Sequence, residues 1–328
     1  MRITNKMLSN NFLRDMKTNL NNLSTIQSQM SSGKQIQRPS DDPFKASRIM
    51  QMHSEIDANK QYNTNIKDTT NWLQTTDSSL GYIGEAVGRV EELLVTAGNG
   101  AYGDSERQAI KDEINQIIGG VSELINGSFD GKYIFGGTRG TSKPVDAIMK
   151  DADGKPQNTK LIYSNSVNGE ALDLSDVNDA IQYTQISDKT IVEVSQGVTM
   201  EYNVTASEII NYGEGENNLI ALFKNITDHL DPDSGDTGKL TNEDLTGIKA
   251  AMTNLLKLRS EVGAKQNRME SAESRNVDAN YNMTEILSRS EDIDITEKVM
   301  EYATMQNIYM ASLQTSAKVI QPTLLDYI

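Results

Sequence analysis

Apolar residues recur every seven positions through a long stretch of the chain. One series consists of Ile66, Leu73, Leu80, Val87 and Leu94. A second series, offset from the first by three residues, consists of Tyr62, Thr69, Thr76, Ile83 and Val90. Two such series on one segment are typical of a heptad seam, which needs a partner helix to bury it. We therefore predict a long helix that packs against another helix.

A second stretch near the C-terminus repeats this pattern. Its apolar positions are Leu255, Leu258, Val262, Met269, Ala272, Met283, Ile286 and Ile293, interrupted by the polar residues Asn276 and Ser290. The six prolines leave both stretches free, because positions 44–143 and 233–321 contain none, and proline breaks helix interiors. The sequence predicts that these two long helices pair.

A third helix is predicted from Glu106 to about Asn126, with its apolar residues at alternating spacings of four and three. They are Ile110, Ile114, Ile117, Val121 and Leu124. Ser105 with Gln108 has the spacing of a capping box, and Asp41-Asp42-Pro43 combines an acidic N-cap with proline at the first helical position. Three apolar seams of this kind can close a helical bundle.

Each end of the chain carries a further amphipathic helix. The first is followed by Ser31-Ser32-Gly33, where glycine can end a helix, and the last begins at Asp294-Ile295-Thr296-Glu297. We predict an assembly interface in which the apolar residues of both helices bury against each other and against adjacent subunits. These residues are Leu13, Met16, Leu20, Leu23, Ile26, Met30, Val299, Tyr302, Tyr309, Leu313 and Ile320.

The middle of the chain changes character, since it contains short runs of strand-forming residues bounded by turn residues. The runs are 132–135, 161–163 and 190–194, and residues 192–202 predict a hairpin that turns near Gln196-Gly197. A short helix is predicted next. Its face consists of Leu219, Leu222, Phe223 and Ile226.

The predicted fold is therefore α+β: a long antiparallel coiled coil or helical bundle, formed by the N- and C-terminal regions, with an inserted β-rich domain. We expect five segments. They are an N-terminal axial helix and linker (1–40), half of the bundle (41–130), the β-rich domain (131–215), the second half of the bundle (216–290) and a C-terminal axial helix (291–328).

Composition argues against several classes of function. With 46 acidic and 31 basic residues the net charge is −15, which disfavours nucleic-acid binding because that binding relies on Lys and Arg. The chain has no cysteine, and its two histidines, His53 and His229, are isolated in sequence. We therefore expect no catalytic, metal or cofactor site. We find no apolar run long enough to predict a membrane-spanning helix and no pattern typical of a cleaved signal peptide.

Three motifs superficially resemble ligand-binding loops. Residues 98–103 satisfy the G-x-G-x-x-G spelling, but they follow a predicted helix, whereas the dinucleotide-binding motif follows a strand. Asp151, Asp153 and Gly154, and likewise Asp231, Asp233 and Asp236, lack the full ligand set of a calcium loop. We interpret all three as turns.

Several segments resemble the flagellin family. Met30 to Pro43 is similar to its N-terminal signature, 97–100 and 104–114 are similar to its second turn and helix, and 262–270 is similar to its C-terminal coiled-coil stretch. Within the family, residues 131–138 and the ending from 316 to 328 look more like the hook-associated junction subunit than like filament flagellin. The resemblance leaves the middle of the chain unassigned.

The resemblance implies a non-enzymatic subunit that assembles into a ring of identical copies and couples the hook to the filament. It implies another hook-associated junction protein and flagellin as partners, and an export chaperone on the C-terminal helix. Such subunits are exported without a cleaved signal and lie outside the cell. A filament-forming flagellin and a cytoplasmic coiled-coil scaffold remain alternatives.

Overall fold

The structure is a computed structural model that describes residues 5–98, 103–150, 156–213, 217–231 and 237–319. Most of these residues are helical. The helices are α1 (Asn5–Ser32), α2 (Pro43–Ala97), α3 (Asp104–Ile125), α4 (Val177–Ser187), α5 (Ala206–Ile210), α6 (Leu219–His229), α7 (Thr237–Lys239), α8 (Leu245–Glu291) and α9 (Ile295–Val319). A π-helical turn, Leu240–Asp244, joins α7 to α8.

The strands pair as separate antiparallel hairpins in the middle of the chain. They are β1 (Ser128–Phe129) with β2 (Lys132–Tyr133), β3 (Val145–Lys150) with β4 (Pro156–Tyr163), and β5 (Ile191–Ser195) with β6 (Val198–Glu201). In the last hairpin Ile191 lies opposite Glu201, and the turn contains Gly197 with φ +71°. The predicted hairpin and its turn are confirmed, as is the α+β fold class.

The chain divides into two compact units. The terminal unit comprises residues 1–60 and 277–328, and the central unit comprises residues 61–276. The division falls inside α2 and α8, each of which contributes residues to both units. The five-segment division expected from the sequence stays a prediction.

In the central unit, α2 and α8 run antiparallel. Ion pairs join Lys67 to Glu273 (3.9 Å), Asp77 to Arg259 (3.0 Å) and Glu91 to Lys249 (4.0 Å). Residue numbers in these pairs increase along α2 as they decrease along α8, which shows that the helices are antiparallel. The first predicted heptad series is completely buried in the core of this unit. Ile66, Leu73, Leu80, Val87 and Leu94 are each 0% exposed. The pairing of the two long helices is confirmed.

Helix α3 completes the core, but its buried face is broader than the predicted stripe. Ile118 and Ile125 are fully buried, whereas the predicted Ile117 and Leu124 are only partly buried. The difference arises because α3 packs against the β3–β4 hairpin as well as helix α6, so apolar contacts surround more of its circumference. A prediction based on a single apolar stripe at 3.6-residue spacing underestimates the number of buried residues in such a helix.

Most predicted helix boundaries are confirmed at the level of individual hydrogen bonds. Gly33 ends α1 with φ +72°, and its N–H donates to Gln29 O (2.8 Å). The Asp42 carboxylate accepts from Lys45 N (3.0 Å) at the start of α2, and the Asp294 carboxylate accepts from Thr296 N (2.8 Å) at the start of α9.

The predicted capping box of Ser105 and Gln108 is wrong. Helix α3 begins earlier, with Gly103 as the N-cap, and the carboxylate of Glu106 accepts from the Gly103 N–H (3.1 Å). Ser105 instead donates its hydroxyl to the same carboxylate (3.1 Å). Hydrogen bonds from its own backbone N–H, then from the Ser105 hydroxyl and the Gly103 N–H, stabilise the charged form of the Glu106 carboxyl and lower its pKa.

The inserted region contains more helix than its composition indicates. Helices α4 and α5 lie between residues predicted only as strand or turn, and α6 follows with its predicted face buried. Polar Asn276 of α8, an interruption in the heptad pattern, is buried and donates its amide to Val194 O of β5 (2.8 Å). The interruption is therefore a specific tie between the hairpin and the bundle.

A tight turn at Gly136-Gly137 lies directly under the C-terminal end of α4. Gly137 has φ +62°, and a Cβ there would lie 2.3 Å from Gln185 O. Thr138 donates its N–H to the same carbonyl (2.9 Å). Arg139 is buried and donates to Gln182 Oε1 (2.8 Å) and Ser164 O (2.8 Å), and burial lowers its pKa. The segment 131–138 thus has a packing role in this fold.

The isolated histidines pair with single carboxylates. His53 Nε2 lies 3.1 Å from Glu291 Oε2, and His229 Nδ1 lies 2.7 Å from Asp244 Oδ2. The G-x-G-x-x-G segment follows helix α2, as predicted, and its residues 99–102 lie outside the described residues. The same holds for 151–155 and for 232–236, while Asp231 pairs with Lys111 (2.8 Å).

Candidate assembly surface on the terminal helices

Helices α1 and α9 pack against each other in the terminal unit. Along α1 the least exposed side chains follow a three-four spacing. They are Phe12, Met16, Asn19, Leu23, Ile26 and Met30. Along α9 the corresponding side chains are Tyr302, Met305, Tyr309 and Ser312. Each helix therefore turns one heptad seam toward its partner, as expected of a two-helix coiled coil.

A second set of apolar side chains on the same two helices remains open to solvent. On α1 these are Met7 (54% exposed), Leu13 (53%) and Leu20 (44%), and the two leucines lie one heptad apart. On α9 they are Ile295, Val299, Met300, Ile308, Met310 and Leu313. We call this set the outer apolar row. Large apolar side chains left exposed in this number on two neighbouring helices are typical of an interaction site.

The structure thus splits the predicted interface residues into two groups. Met16, Leu23, Ile26, Met30, Tyr302 and Tyr309 lie on the seam between α1 and α9. Leu13, Leu20, Val299 and Leu313 belong to the outer apolar row. Ile320 lies outside the described residues. Their role in contacts between subunits stays a prediction.

Sequence reasoning missed several members of both groups. Phe12 precedes Met16 at seam spacing, and the 12-16-19-23-26-30 periodicity would have revealed it. Met300 and Ile308 were also missed, and with Ile26 and Met305 they line a groove of about 420 Å³. Glu297 and Glu301 also line this groove, so its lining combines apolar and acidic side chains.

The segments next to α1 and α9 are joined by a clasp, formed by residues 33–35 and 291–293. Gln35 N donates to Glu291 O (2.6 Å) and Ile293 N donates to Gly33 O (3.1 Å). The Lys34 ammonium lies 2.9 Å from Asp292 Oδ1 and 3.2 Å from Glu291 Oε2. Because α1 ends and α9 begins at this paired segment, the two helices run antiparallel from it.

The charged side chains of Lys34 and Asp292 in the clasp stabilise each other. The hydrogen bond to Asp292 raises the pKa of Lys34, with a further contribution from Glu291. The hydroxyl of Ser288 (2.6 Å) and then Lys34 lower the pKa of Asp292. A depressed carboxyl pKa contributes stability above the pKa of the unfolded chain and loses it as the pH falls through the folded value. Both groups are solvent-accessible, so this contribution is below about 1 kcal/mol.

We expect Asp292→Asn to loosen the clasp measurably. Amide hydrogen exchange at Gln35 and Ile293 should accelerate by up to about fivefold near neutral pH, because an exposed pair contributes at most about 1 kcal/mol. The difference should shrink as the pH falls below the ordinary aspartate value and vanish only below the lowered pKa of the wild-type Asp292 carboxyl, where that carboxyl is protonated too. Glu285→Gln is the control, since Glu285 pairs with Arg289 inside α8 (2.5 Å). Equal acceleration in both variants would contradict this role for Asp292.

Within the described ranges, no cluster of three or more His, Asp or Glu side chains is arranged to hold a metal ion. Among those same residues, no helix combines the length and the hydropathy needed to cross a bilayer.

Comparisons with known proteins agree with this architecture. The chain is 23% identical over 313 residues to flagellar hook-associated protein 3 of Escherichia coli, covering 95% of each. It is 24% identical to a flagellin of Clostridium tyrobutyricum, covering 92% of this chain and 94% of that protein. The crystal structure of flagellar hook associated protein-3 from Legionella pneumophila superposes with a TM-score of 0.57 at 13% identity, covering 74% of this chain and 98% of that one.

Family models match both ends of the chain. The bacterial flagellin N-terminal helical region matches residues 3–139, and the bacterial flagellin C-terminal helical region matches residues 245–328. Together they account for more than half of the sequence and contain α1 to α3, α8 and α9. The chain therefore belongs to the bacterial flagellin family.

Proposed function

We propose that the chain is a structural subunit of the bacterial flagellum that assembles at the hook–filament junction and couples the hook to the filament. The observation that carries this proposal is the outer apolar row on α1 and α9, in a chain similar to hook-associated protein 3 along 95% of its length. A lone subunit gains nothing from this exposed row. A ring of identical copies buries it.

Burial of the outer apolar row supplies the driving force for assembly. Leu13 and Leu20 already stand on a folded helix, so covering them costs little backbone entropy. At about 25 cal/mol per Å² of apolar area, one fully buried leucine contributes roughly 2 kcal/mol. Several such residues per subunit, repeated around a ring, give a contact that is strong in total although each contribution is modest.

The same surface supports the proposed partners. We propose that another hook-associated junction protein and flagellin contact the two sides of a ring of this subunit. Their own coiled-coil termini would bury the parts of the outer apolar row that the ring leaves exposed. Before assembly, the apolar side chains of α9, such as Met300 (61% exposed) and Met310 (49%), need cover to avoid aggregation. We propose that an export chaperone provides it. The assembled subunit is then extracellular, exported without a cleaved signal peptide.

The proposed role is mechanical and involves no catalysis. Its family consists of structural flagellar proteins. Transmission of torque requires rigid connections, and the buried heptad of α2 and α8 together with the clasp provides them within their units.

Deletion of the gene tests the proposal in the flagellated bacterium that encodes it. We expect hooks without filaments, swimming lost, and unassembled flagellin released into the medium, where an immunoblot detects it. Expression of the chain from a plasmid should restore filaments. Normal filaments after deletion would overturn the proposal.

A filament-forming flagellin is the second candidate, favoured by the 24% identity to the Clostridium tyrobutyricum flagellin. The same deletion distinguishes the two, because loss of the filament protein itself leaves nothing to release into the medium. Labelling of intact cells with an antibody provides an independent measure. A junction subunit gives one focus at the base of each filament, a flagellin labels the whole filament, and a cytoplasmic scaffold gives no surface label.

A further inference from the structure

We propose that a pocket in the central unit binds a neutral saccharide through a pyranose ring. The pocket has a volume of about 640 Å³ and lies between α2, the β1–β2 turn and the β5–β6 hairpin. This volume falls within the usual range of small-molecule sites. It is remote from the assembly surface in function, since none of its lining residues belongs to the seam, the outer apolar row or the clasp.

Three aromatic rings form one wall of the pocket. Trp72 is the only tryptophan of the chain. Its ring is perpendicular to that of Phe129, at a centroid distance of 6.1 Å, and to that of Tyr202, at 5.8 Å. None of the three side chains is fully buried, so ring surface is left for a ligand. The aliphatic C–H groups of a pyranose pack favourably on such π surfaces.

The polar end of Trp72 is not used by the fold. Its indole N–H is shielded from solvent and has no hydrogen-bond partner among the described residues. Buried Trp N–H groups usually find a partner, and an unsatisfied donor is costly to keep. The ring is therefore held by packing against Phe129, Tyr202 and the apolar core, while its N–H lacks the partner that a buried tryptophan usually has.

The rim of the pocket carries polar side chains that the fold also leaves unused. Asp68 and Asn71 on α2 and Asp130 and Lys132 on the β1–β2 turn all line it. Within the described part of the chain, none of these four side chains has a protein hydrogen bond or ion pair. Neighbouring Asn65, by contrast, is committed to the fold, because its amide donates to Glu193 O (3.2 Å).

This set of side chains selects a polyol over other ligand classes. Two carboxylates against one ammonium disfavour phosphates and other anions, and the described residues form no metal-binding cluster. Carboxylates accept hydrogen bonds from hydroxyl groups, the ammonium donates to them, and the amide of Asn71 does both. A pyranose offers several hydroxyls around an apolar face, which matches the aromatic wall and the polar rim together.

Trp72 provides the reporter for the test, since its fluorescence is the only tryptophan signal of the chain. The full-length protein is titrated with methyl glycosides of glucose, galactose, mannose and N-acetylglucosamine, and with their oligomers. Binding is also measured on an array of bacterial and mucin-type glycans, whose arms distinguish a polysaccharide source from a glycoprotein source. We expect at least one pyranoside to give a saturable change in Trp72 emission.

Variants locate the binding to this pocket. Asp68→Ala and Asp130→Ala should each weaken binding roughly tenfold, the loss expected for one hydrogen bond to a charged group. Asp57→Ala is the control, because it removes the same group from an exposed position of the same helix. Asp130→Asn serves if an alanine variant folds poorly, and circular dichroism verifies the fold of each.

Four results would overturn the proposal. They are the absence of any saccharide response, a response that Asp68→Ala and Asp130→Ala leave unchanged, a preference for phosphorylated ligands, and a Trp72 change driven by protein concentration alone. The last would indicate that a second copy of the chain occupies the pocket.

Discussion

Simultaneous replacement of Leu13, Leu20 and Leu313 by aspartate is expected to abolish incorporation of the subunit into flagella. These leucines are 53%, 44% and 41% exposed, so the isolated chain tolerates the change. In the assembly, each substitution removes roughly 2 kcal/mol of favourable free energy from apolar burial. It also buries a carboxylate that has no hydrogen-bonding or charged partner. Electron microscopy should show hooks without filaments, and circular dichroism of the purified variant should show an unchanged fold.

A matched control separates the apolar contribution from that of charge. Asn10→Asp, Asn21→Asp and Gln314→Asp add the same three charges to exposed polar positions of the same helices. This control should assemble normally. Immunoblots of the culture medium confirm that both variants are exported. Normal filaments from the leucine variant would contradict the assembly surface, and so would equal failure of both variants.

Gly137→Ala is expected to destabilise the central unit strongly, by roughly 3 kcal/mol or more, which is large for a single substitution. A Cβ at this position would lie 2.3 Å from Gln185 O and 2.5 Å from Ile186 O, both of them backbone atoms that cannot rotate away. The φ of +62° adds strain for any residue other than glycine. Urea unfolding followed by Trp72 fluorescence measures the loss, because Trp72 belongs to the same unit.

Two other glycines calibrate this result. Gly131 also has a positive φ (+73°), but its Cβ position is open, so Gly131→Ala should cost only about 1 kcal/mol. Gly84 lies inside α2 with open space around it, and Gly84→Ala should stabilise the helix by up to about 1 kcal/mol. If Gly137→Ala cost no more than Gly131→Ala, the close packing under α4 would not be the cause.

The long helices were predictable because each carries its own signals. The heptad residues from Ile66 to Leu94 and the helix end at Gly33 depend on spacing and on backbone geometry that neighbouring residues dictate. The hairpin turn at Gln196-Gly197 was predictable for the same reason. Such patterns depend only on residues close together in sequence, so they can be identified without knowing the tertiary contacts.

Features that depend on distant contacts were not predictable. Ile118 and Ile125 are buried because hairpin β3–β4 and helix α6 cover a second side of α3, which no local spacing reveals. Equally, a list of apolar residues on α1 cannot separate Leu23, which faces α9, from Leu20, which faces solvent. The Gly103 cap is a different case, since Glu106 is only three residues away and this local pattern could have revealed it.

The clasp has a consequence for how such chains can change during evolution. Its hydrogen bonds join positions 33–35 to positions 291–293. The segment between α1 and α2 and the segment between α8 and α9 are therefore held in a fixed register. One inserted residue would shift an extended segment by about 3.3 Å, enough to break every bond in the pair. Insertions or deletions on one side should therefore persist only when the opposite side changes length with it, and natural variation in the two linkers should be correlated.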